Sequence, residues 1–419
     1  MLLYLIAYID RANISVAALQ MNADLGLSAS MYGLGVGLFY VTYIIFEVPS
    51  NVILARVGAR RWIARIMVTW GLVASGMAFI QTPGQLYGMR LLLGAAEAGF
   101  TPGIIYYLGR WFPTSHRARA MSFFYIAAAL ASVIGLPVSG ALLNLNGVLG
   151  FAGWRWLFFM EGLPAVALGF VVLRYLPDSP REARWLSPAQ GDWLNATIEA
   201  ESARAPSHHA GGWRVAFADH RVWLLSLFWL SQAFGTIGVT MFLPQVLKSL
   251  SGQSDFVVSV FSGLPFVLAC VLMYLNGRHS DARQERRWHL GLPLVVAGIL
   301  LAASLVARDL PTTYLLLLLA IGFNWCVSPV FWAVSTEYLA GGAAAASAIA
   351  LINSVANIAG VGLPPLLGFV RDRTGSWNSS LFLIAVALIL GGLLGLVLAP
   401  RSTRHTPATP SKTAKHHGM

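Results

Sequence analysis

Residues 2–22 read LLYLIAYIDRANISVAALQMN, an apolar run broken only by the adjacent charges Asp10 and Arg11. Arg90 and Glu97 stand in a second apolar run, seven residues apart. A helix of about 20 residues crosses a lipid bilayer. Charges at bilayer depth are costly, so they face a cavity and mark an ion or substrate pathway. The two runs therefore predict a membrane transporter.

The composition predicts a membrane-embedded chain along most of its length. Of 419 residues, 57% are hydrophobic and 11% are charged, with a mean hydropathy of +0.67. Soluble domains carry about twice that share of charge. We expect an all-α membrane protein with twelve transmembrane helices in two six-helix halves, at 2–22, 30–53, 62–81, 85–108, 120–143, 155–176, 222–247, 256–276, 289–307, 312–334, 345–369 and 378–399.

The net charge of +11 follows the predicted topology and does not indicate nucleic-acid binding. If spans alternate in direction, 21 Lys and Arg fall in the segments on one side of the membrane and 5 on the other. Basic residues accumulate in cytoplasmic segments. We therefore expect both termini in the cytoplasm and the protein in the inner membrane of the cell.

Two tripeptides recur at almost the same offset. Arg60-Arg61-Trp62 returns at residues 286–288, and Gly135-Leu136-Pro137 returns at residues 362–364, which gives offsets of 226 and 227. This repeat predicts two parallel halves with a substrate site between them. The expected units are a first bundle at 1–176, a cytoplasmic linker at 177–220, a second bundle at 221–400 and a basic tail at 401–419. Within the linker, Ser187 and Pro188 are typical of a helix start.

The first span has little room before Asp10. Nine residues give about 15 Å of helix, half of a hydrocarbon core of about 30 Å. We expect the native protein to start upstream of Met1, or the present form to insert less efficiently.

Several motifs occur in one order along the chain. The loops at 56–61 and 277–283 resemble the cytoplasmic signature of the major facilitator superfamily, although Ala55 stands where the first copy should have Asp. A narrower resemblance, to the tartrate and phthalate permease branch of the anion:cation symporter family, rests on the motifs at 8–14, 46–51, 111–120, 154–164 and 176–180. The first resemblance implies the major facilitator fold, and the second implies uptake of organic anions, commonly with protons.

The four charges suit proton-coupled carriage of a carboxylate. Arg90 and Glu97 lie about 10 Å apart along one helix face, and Asp10 is near the midplane. Two carboxylates and two guanidiniums sum to zero, so an incoming carboxylate needs a cation freed by protonation of Glu97 or Asp10. We predict Asp10, Glu97 and Arg90 as proton-coupling residues and Arg11 as a substrate-binding residue. The family resemblance implies the same substrate-binding role for Arg11 and its neighbours, so we include Tyr8. Structural ion pairing is the alternative interpretation, and we favour it for Glu47 and Glu161.

The second half offers neutral polar and aromatic groups within its spans. We predict Gln232, Asn353 and Trp332 as substrate contacts; Asn353 also matches a substrate-contact position implied by the family resemblance. Hydrogen bonds between helices are the alternative role of the amides.

The motifs that the sequence lacks narrow the possible functions. No phosphate-binding P-loop, hydrolase motif, cofactor site or metal site is expected, so the chain is predicted not to be an enzyme. The prediction is a monomeric symporter of protons and a small organic anion, such as a sugar acid, a tartrate-like acid or an aromatic acid. An organic anion exchanger, a drug-efflux protein or uncharged-solute facilitator, and a sensor are the alternatives.

Overall fold

The fold is all-helical in the part of the chain that the structure describes. The structure is a computed structural model that describes residues 1–204, 212–339 and 345–398, without the side chains of 114–126, 202–204, 212, 213, 215, 337, 339, 345 and 346. The predicted tail at 401–419 and residues 205–211 of the predicted linker lie outside the described residues.

The first half contains six spans. Its helices are α1 (Leu2–Asp24), α2 (Ala29–Val57), α3 (Ala59–Gly76), α4 (Pro83–Glu97), α5 (Phe100–Gly109), α6 (Thr114–Leu143) and α7 (Gly153–Tyr175), where α4 and α5 form one broken span. A 3-10 turn at Met77–Phe79 extends α3.

Two short helices follow before the second half begins. They are α8 (Pro188–Arg204) and α9 (Gly212–Ala218). The hydroxyl of Ser187 accepts a hydrogen bond from Gln190 N at 3.3 Å, so α8 begins with the cap that the Ser187-Pro188 pair predicts.

The second half repeats the pattern. Its helices are α10 (His220–Ala233), α11 (Thr240–Ser251), α12 (Asp255–Arg283), α13 (Arg287–Ser304), α14 (Leu310–Cys326), α15 (Ser328–Leu339), α16 (Ala345–Thr374) and α17 (Trp377–Leu398). A π-helical turn, Phe234–Val239, joins α10 to α11 in one span, and α14 and α15 form another broken span.

The observed spans confirm the predicted all-helical membrane fold. Eleven of the described spans are long and apolar enough to cross a membrane, and α6 adds the apolar stretch Ala127–Leu143. Large apolar side chains such as Phe170, Leu390 and Val397 are exposed on the outside of the bundle. Apolar patches of this kind require a lipid or protein partner, and twelve such helices side by side fit a bilayer.

Local capping explains where several spans begin. The side chains of Ser28, Thr82, Ser254 and Asp309 accept hydrogen bonds from the first free N–H groups of α2, α4, α12 and α14. Hydrogen bonds from the backbone and side chain of Thr312 hold the pKa of Asp309 below its ordinary value. These four helices start at the same end of the bundle, because they begin the second, fourth, eighth and tenth spans, which all run in the same direction.

The halves meet closely at this end, which contains the connection between α1 and α2 and is called the closed end below. Gly33 and Gly37 of α2 lie against the backbone of Pro364 and Val361 of α16, so neither position has room for a Cβ. At the same end, Asn22 donates to Gln245 at 3.1 Å between α1 and α11.

The loop between α2 and α3 is stabilised by a residue from elsewhere in the chain. Ala55 replaces the aspartate of the signature, and Asp178, just after α7, accepts a hydrogen bond from Arg60 N at 2.8 Å at the start of α3. In the second copy, Asp281 forms an ion pair with Arg286. Each copy of the signature loop therefore contacts a carboxylate. In the second copy the carboxylate belongs to the loop itself, whereas in the first it is Asp178, which follows the last span of the first half.

Candidate functional site

Glu97 lies where the fourth span breaks. It is the last residue of α4, and Gly99 follows in the left-handed conformation with φ +83°. A residue with a Cβ is strained in that conformation, and a Cβ there would also collide with the side chain of Ser50. The break places the fully buried Glu97 carboxylate in the interior of the first half, opposite α1.

Arg11 of α1 forms an ion pair with Glu97. Its Nε and Nη2 atoms each lie 2.5 Å from the same oxygen, Oε1 of Glu97. The other oxygen, Oε2, is buried without a hydrogen-bond partner. The Arg11 guanidinium also lies over the rings of Tyr43 at 5.0 Å and Tyr8 at 5.3 Å. Aromatic faces stabilise a cation in this position, so Arg11 keeps partners even when Glu97 is neutral.

Asp10, the neighbour of Arg11, points away from that pair. Its two oxygens accept hydrogen bonds from the indole N–H of Trp70 at 2.8 Å and the side-chain amide of Asn13 at 3.1 Å. Asp10 is 3% exposed. Neutral donors therefore hold this carboxyl in place, and no guanidinium among the described residues lies within 4.0 Å of it.

Arg90 is buried without a carboxylate partner among the described residues. Its Nε donates to the carbonyl oxygen of Gly35 at 3.2 Å, and its guanidinium lies 4.9 Å from the ring centre of Phe39. The residue is only 3% exposed. A buried cation without an anionic partner is an attractive position for an anion.

The four predicted charges share one pocket with a residue of the other half. Arg11, Asp10, Arg90 and Glu97 line it together with Val36, Phe39, Tyr40, Leu93 and Met241. Met241 belongs to α11, so the pocket lies at the boundary between the halves. The structure thus brings together the charged residues that the sequence singled out in two separate spans.

The second half carries a neutral counterpart of the charged set. Gln232 donates to the hydroxyl of Thr236 at 2.8 Å, and the amide of Asn324 donates to the same hydroxyl at 3.2 Å. Asn324 lies 227 residues after Glu97, and Thr236 lies 226 residues after Asp10. Thr236 and Asn324 therefore occupy the places in the second half that Asp10 and Glu97 occupy in the first. The offset of the repeated tripeptides could have identified Thr236 and Asn324, which were not among the predicted site residues.

The other two predicted contacts of the second half lie on α15 and α16. Trp332 packs edge-to-face on Trp229 at 5.3 Å, and its indole N–H is buried without a partner. Asn353 is exposed and lies seven residues, two helical turns, before Gly360, which packs under the ring of Tyr40. Asn353 therefore faces the space between the halves, beyond the point where α2 and α16 meet.

The comparison with known families decides the class of the protein. The family model of the Major Facilitator Superfamily matches residues 1–364. The chain belongs to this superfamily. A protein of Agrobacterium vitis named "Putative tartrate transporter" is 43% identical over 100% of this chain and 92% of its own length. A quinolone resistance transporter of Acinetobacter baumannii is 36% identical over 97% of this chain and 94% of its own length.

Solved structures confirm the fold. A bacterial homologue of the human lysosomal transporter Spinster, in an inward-facing and occupied conformation, superimposes with a TM-score of 0.76. It shares 18% sequence identity and covers 95% of this chain and 94% of its own. The chain is thus a multi-pass membrane transporter of the superfamily and not an enzyme. The name of the Agrobacterium vitis relative agrees with the resemblance of this sequence to the anion:cation symporter family.

Proposed function

We propose that the protein carries an organic carboxylate across the membrane together with a proton. One observation supports this most strongly: Arg11 is paired with Glu97, whereas Arg90 in the same pocket has no carboxylate within 4.0 Å among the described residues. Tartrate, the compound in the name of the Agrobacterium vitis relative, is an organic anion with two carboxylates. Guanidinium groups match carboxylates in bidentate geometry.

Charge balance explains the coupling. The empty pocket holds two cations, Arg11 and Arg90, and two acidic residues, Asp10 and Glu97. A proton on Glu97 ends its attraction for Arg11 and leaves two guanidiniums facing one carboxylate. The anion then restores neutrality. Because each ligand makes the pocket more favourable for the other, proton and anion bind together.

The uncharged part of the substrate meets the second half. The Gln232, Thr236 and Asn324 cluster and the exposed Asn353 supply hydrogen-bond donors and acceptors, and Trp332 supplies an indole ring with a free N–H. These groups suit the hydroxyls of a sugar acid or tartrate-like acid and the ring of an aromatic acid.

We further infer that the closed end faces away from the cytoplasm. The bias of 21 basic residues against 5 places both termini in the cytoplasm, and α1 runs from its start to the closed end. The contacts between α2 and α16 lie at that end. In alternating access the halves rock about a fixed site, so this state opens toward the cytoplasm of a cell with the protein in its inner membrane.

Transport assays test the proposal directly. Purified protein in liposomes is given a panel of radiolabelled carboxylates, with an inward proton gradient or with none. We expect accumulation of at least one carboxylate only with the gradient, and its loss when a protonophore is added. Gradient-independent exchange without accumulation would support the anion exchanger instead.

Drug efflux is the second candidate, because the quinolone resistance transporter is 36% identical. The same liposomes, loaded with a fluoroquinolone, separate the two functions. Proton-driven drug movement without carboxylate accumulation would contradict the proposed function.

Asp372 of α16 should stabilise the closed end. Its two carboxylate oxygens accept hydrogen bonds from Ala29 N at 3.1 Å and Ser30 N at 2.9 Å, at the start of α2 in the other half. Hydrogen bonds to a charged group contribute about 1.5 kcal/mol or more each. We expect Asp372→Asn to shift the balance toward the state open at this end by about tenfold, which corresponds to about 1.4 kcal/mol.

The shift can be measured by labelling. In a Cys270→Ser, Cys326→Ser background, Met241→Cys places a thiol in the central pocket. A membrane-impermeant reagent added outside should label it faster once Asp372 is changed. Asp309→Asn is the matched control, since Asp309 also caps a helix at this end but within its own half. Equal labelling rates in both variants would contradict the role of Asp372.

A further inference from the structure

A second cavity lies at the closed end, apart from the central pocket. Its volume is about 380 Å³, which is within the range of small-molecule sites. Its lining residues are Asn22, Leu27, Ala29, Gln245, Arg371, Asp372 and Trp377. The first three belong to α1, the turn that follows it and the start of α2, and the other four belong to α11, α16 and the start of α17. Because its walls come from both halves, this closed-end cavity is complete only while the halves meet at this end.

Arg371 gives the closed-end cavity a positive charge without a counter-charge. The residue is half-buried, and its guanidinium lies over the ring of Trp377 at 5.5 Å. No carboxylate of the described residues lies within 4.0 Å of it. The neighbouring Asp372 is already engaged, because both of its oxygens accept hydrogen bonds from the start of α2. The positive end of the α2 dipole offsets the charge of Asp372, so Arg371 is left to attract an anion.

Two side-chain amides in the wall have unused hydrogen-bonding atoms. Asn22 donates to Gln245 at 3.1 Å across the boundary between the halves. This contact leaves the side-chain oxygen of Asn22, an acceptor, and the side-chain nitrogen of Gln245, a donor, buried without a partner. Buried polar atoms without a partner cost free energy. A ligand that offers a carboxylate oxygen to Gln245 and a hydroxyl to Asn22 satisfies both atoms.

We propose that the closed-end cavity binds a small hydroxycarboxylate and thereby holds this end of the transporter shut. The carboxylate pairs with Arg371, whose planar guanidinium suits it, and accepts a hydrogen bond from the amide nitrogen of Gln245. The hydroxyl donates to the oxygen of Asn22, and the ring of Trp377 forms an apolar wall. A ligand that binds one state and not the other shifts the equilibrium toward the state it binds, so the anion opposes opening.

The closed-end cavity differs from the central pocket in its effect on transport. In the orientation inferred above, it lies on the outer side of the membrane, from which the anion is taken up. Abundant anion therefore limits its own uptake. The binding itself does not depend on the proposed transport of a carboxylate; only this regulatory consequence rests on that proposed function.

Protection of a thiol tests binding directly. In the Cys270→Ser, Cys326→Ser background, Ala29→Cys places a thiol in the wall of the cavity. Sodium tartrate, a dicarboxylate with hydroxyls, should slow the reaction of this thiol with a membrane-impermeant maleimide, and the concentration dependence gives its Kd. Succinate, which lacks the hydroxyls, should protect less, and sodium chloride at equal ionic strength should not protect. Equal protection by tartrate and chloride would overturn the site.

Arg371→Gln removes the cation of the cavity and should abolish protection by tartrate. Arg373→Gln is the matched control, because Arg373 lies two residues further along the same helix and over the ring of Phe369, yet it is exposed and does not line the cavity. This control should keep the protection. Protection that persists in Arg371→Gln, or that is lost equally in both variants, contradicts the inference.

The Met241→Cys thiol of the central pocket reports the effect on opening. At about ten times its Kd, a ligand that binds only the closed state lowers the open fraction by about tenfold. Tartrate should therefore slow labelling from outside by about tenfold in combination with Arg373→Gln, and much less in combination with Arg371→Gln. Slowing of the same size in both would place the anion in the central pocket and overturn the closed-end site.

An uptake assay separates this inference from the proposed function. The carboxylate that the liposome panel identifies should inhibit its own uptake at high outside concentration in the wild type and in Arg373→Gln, but not in Arg371→Gln. Inhibition of equal strength in all three proteins would contradict the regulatory role of the cavity. A wild type that transports no carboxylate contradicts the proposed function instead, and the labelling results still decide the site.

Discussion

Arg11→Lys should lose most carboxylate uptake. The guanidinium of Arg11 reaches Glu97 through two nitrogens and lies between the rings of Tyr8, Phe39 and Tyr43. An ammonium is a compact point charge that cannot reproduce this planar geometry. Loss of one charged hydrogen bond to the substrate costs about 2 kcal/mol, which is about 30-fold in affinity.

The measurement is the concentration dependence of uptake for the carboxylate that the liposome panel identifies. Arg65→Lys is the matched control, because Arg65 also lies over an aromatic ring, that of Trp62, but on α3 outside the pocket. The control should transport normally. Near-normal uptake in both Arg11→Lys and Arg11→Ala would show that Arg11 does not hold the carboxylate, and Arg90 would then be the remaining cation of the pocket.

Glu97→Gln should uncouple transport from protons. Glutamine has almost the shape of glutamic acid and remains neutral, so it imitates the protonated state and leaves Arg11 permanently free for the anion. The variant is therefore expected to exchange substrate across the membrane at a substantial rate. It should not accumulate substrate in response to a proton gradient, because the group whose charge changes is gone.

Two assays on the same liposomes separate these effects. Exchange is measured with substrate on both sides, and accumulation is measured with an inward proton gradient. Glu199→Gln, a change of the same type on the exposed surface of α8, should retain both activities. If accumulation in Glu97→Gln still follows the proton gradient, the coupling group lies elsewhere, and Asp10 becomes the leading candidate.

Much of the site could be predicted because its parts are local in the sequence. Apolar runs mark the spans, and charges within them are conspicuous, so Asp10, Arg11, Arg90 and Glu97 could be selected without a structure. The repeated tripeptides also predict which spans correspond in the two halves. They would have indicated Asn324 as the counterpart of Glu97, had the offset been applied to single residues.

The pairing of these groups depended on tertiary structure. Arg11 and Glu97 are 86 residues apart, and only the packing of α1 and of the broken α4–α5 span brings one guanidinium to that carboxylate and leaves Arg90 unpaired. Trp70 and Asn13 hold Asp10, although Arg11 is its neighbour in the chain, because consecutive residues of a helix point in different directions.

The helices themselves were determined by the sequence alone, since hydropathy and length act within each segment. The predicted ends of the spans lie within seven residues of the observed ones. The contacts that close one end, such as Asp372 with the start of α2, were decided only by the tertiary structure. The physical reason is distance along the chain: these partners are more than 300 residues apart, and no local pattern specifies which helices of the two halves meet.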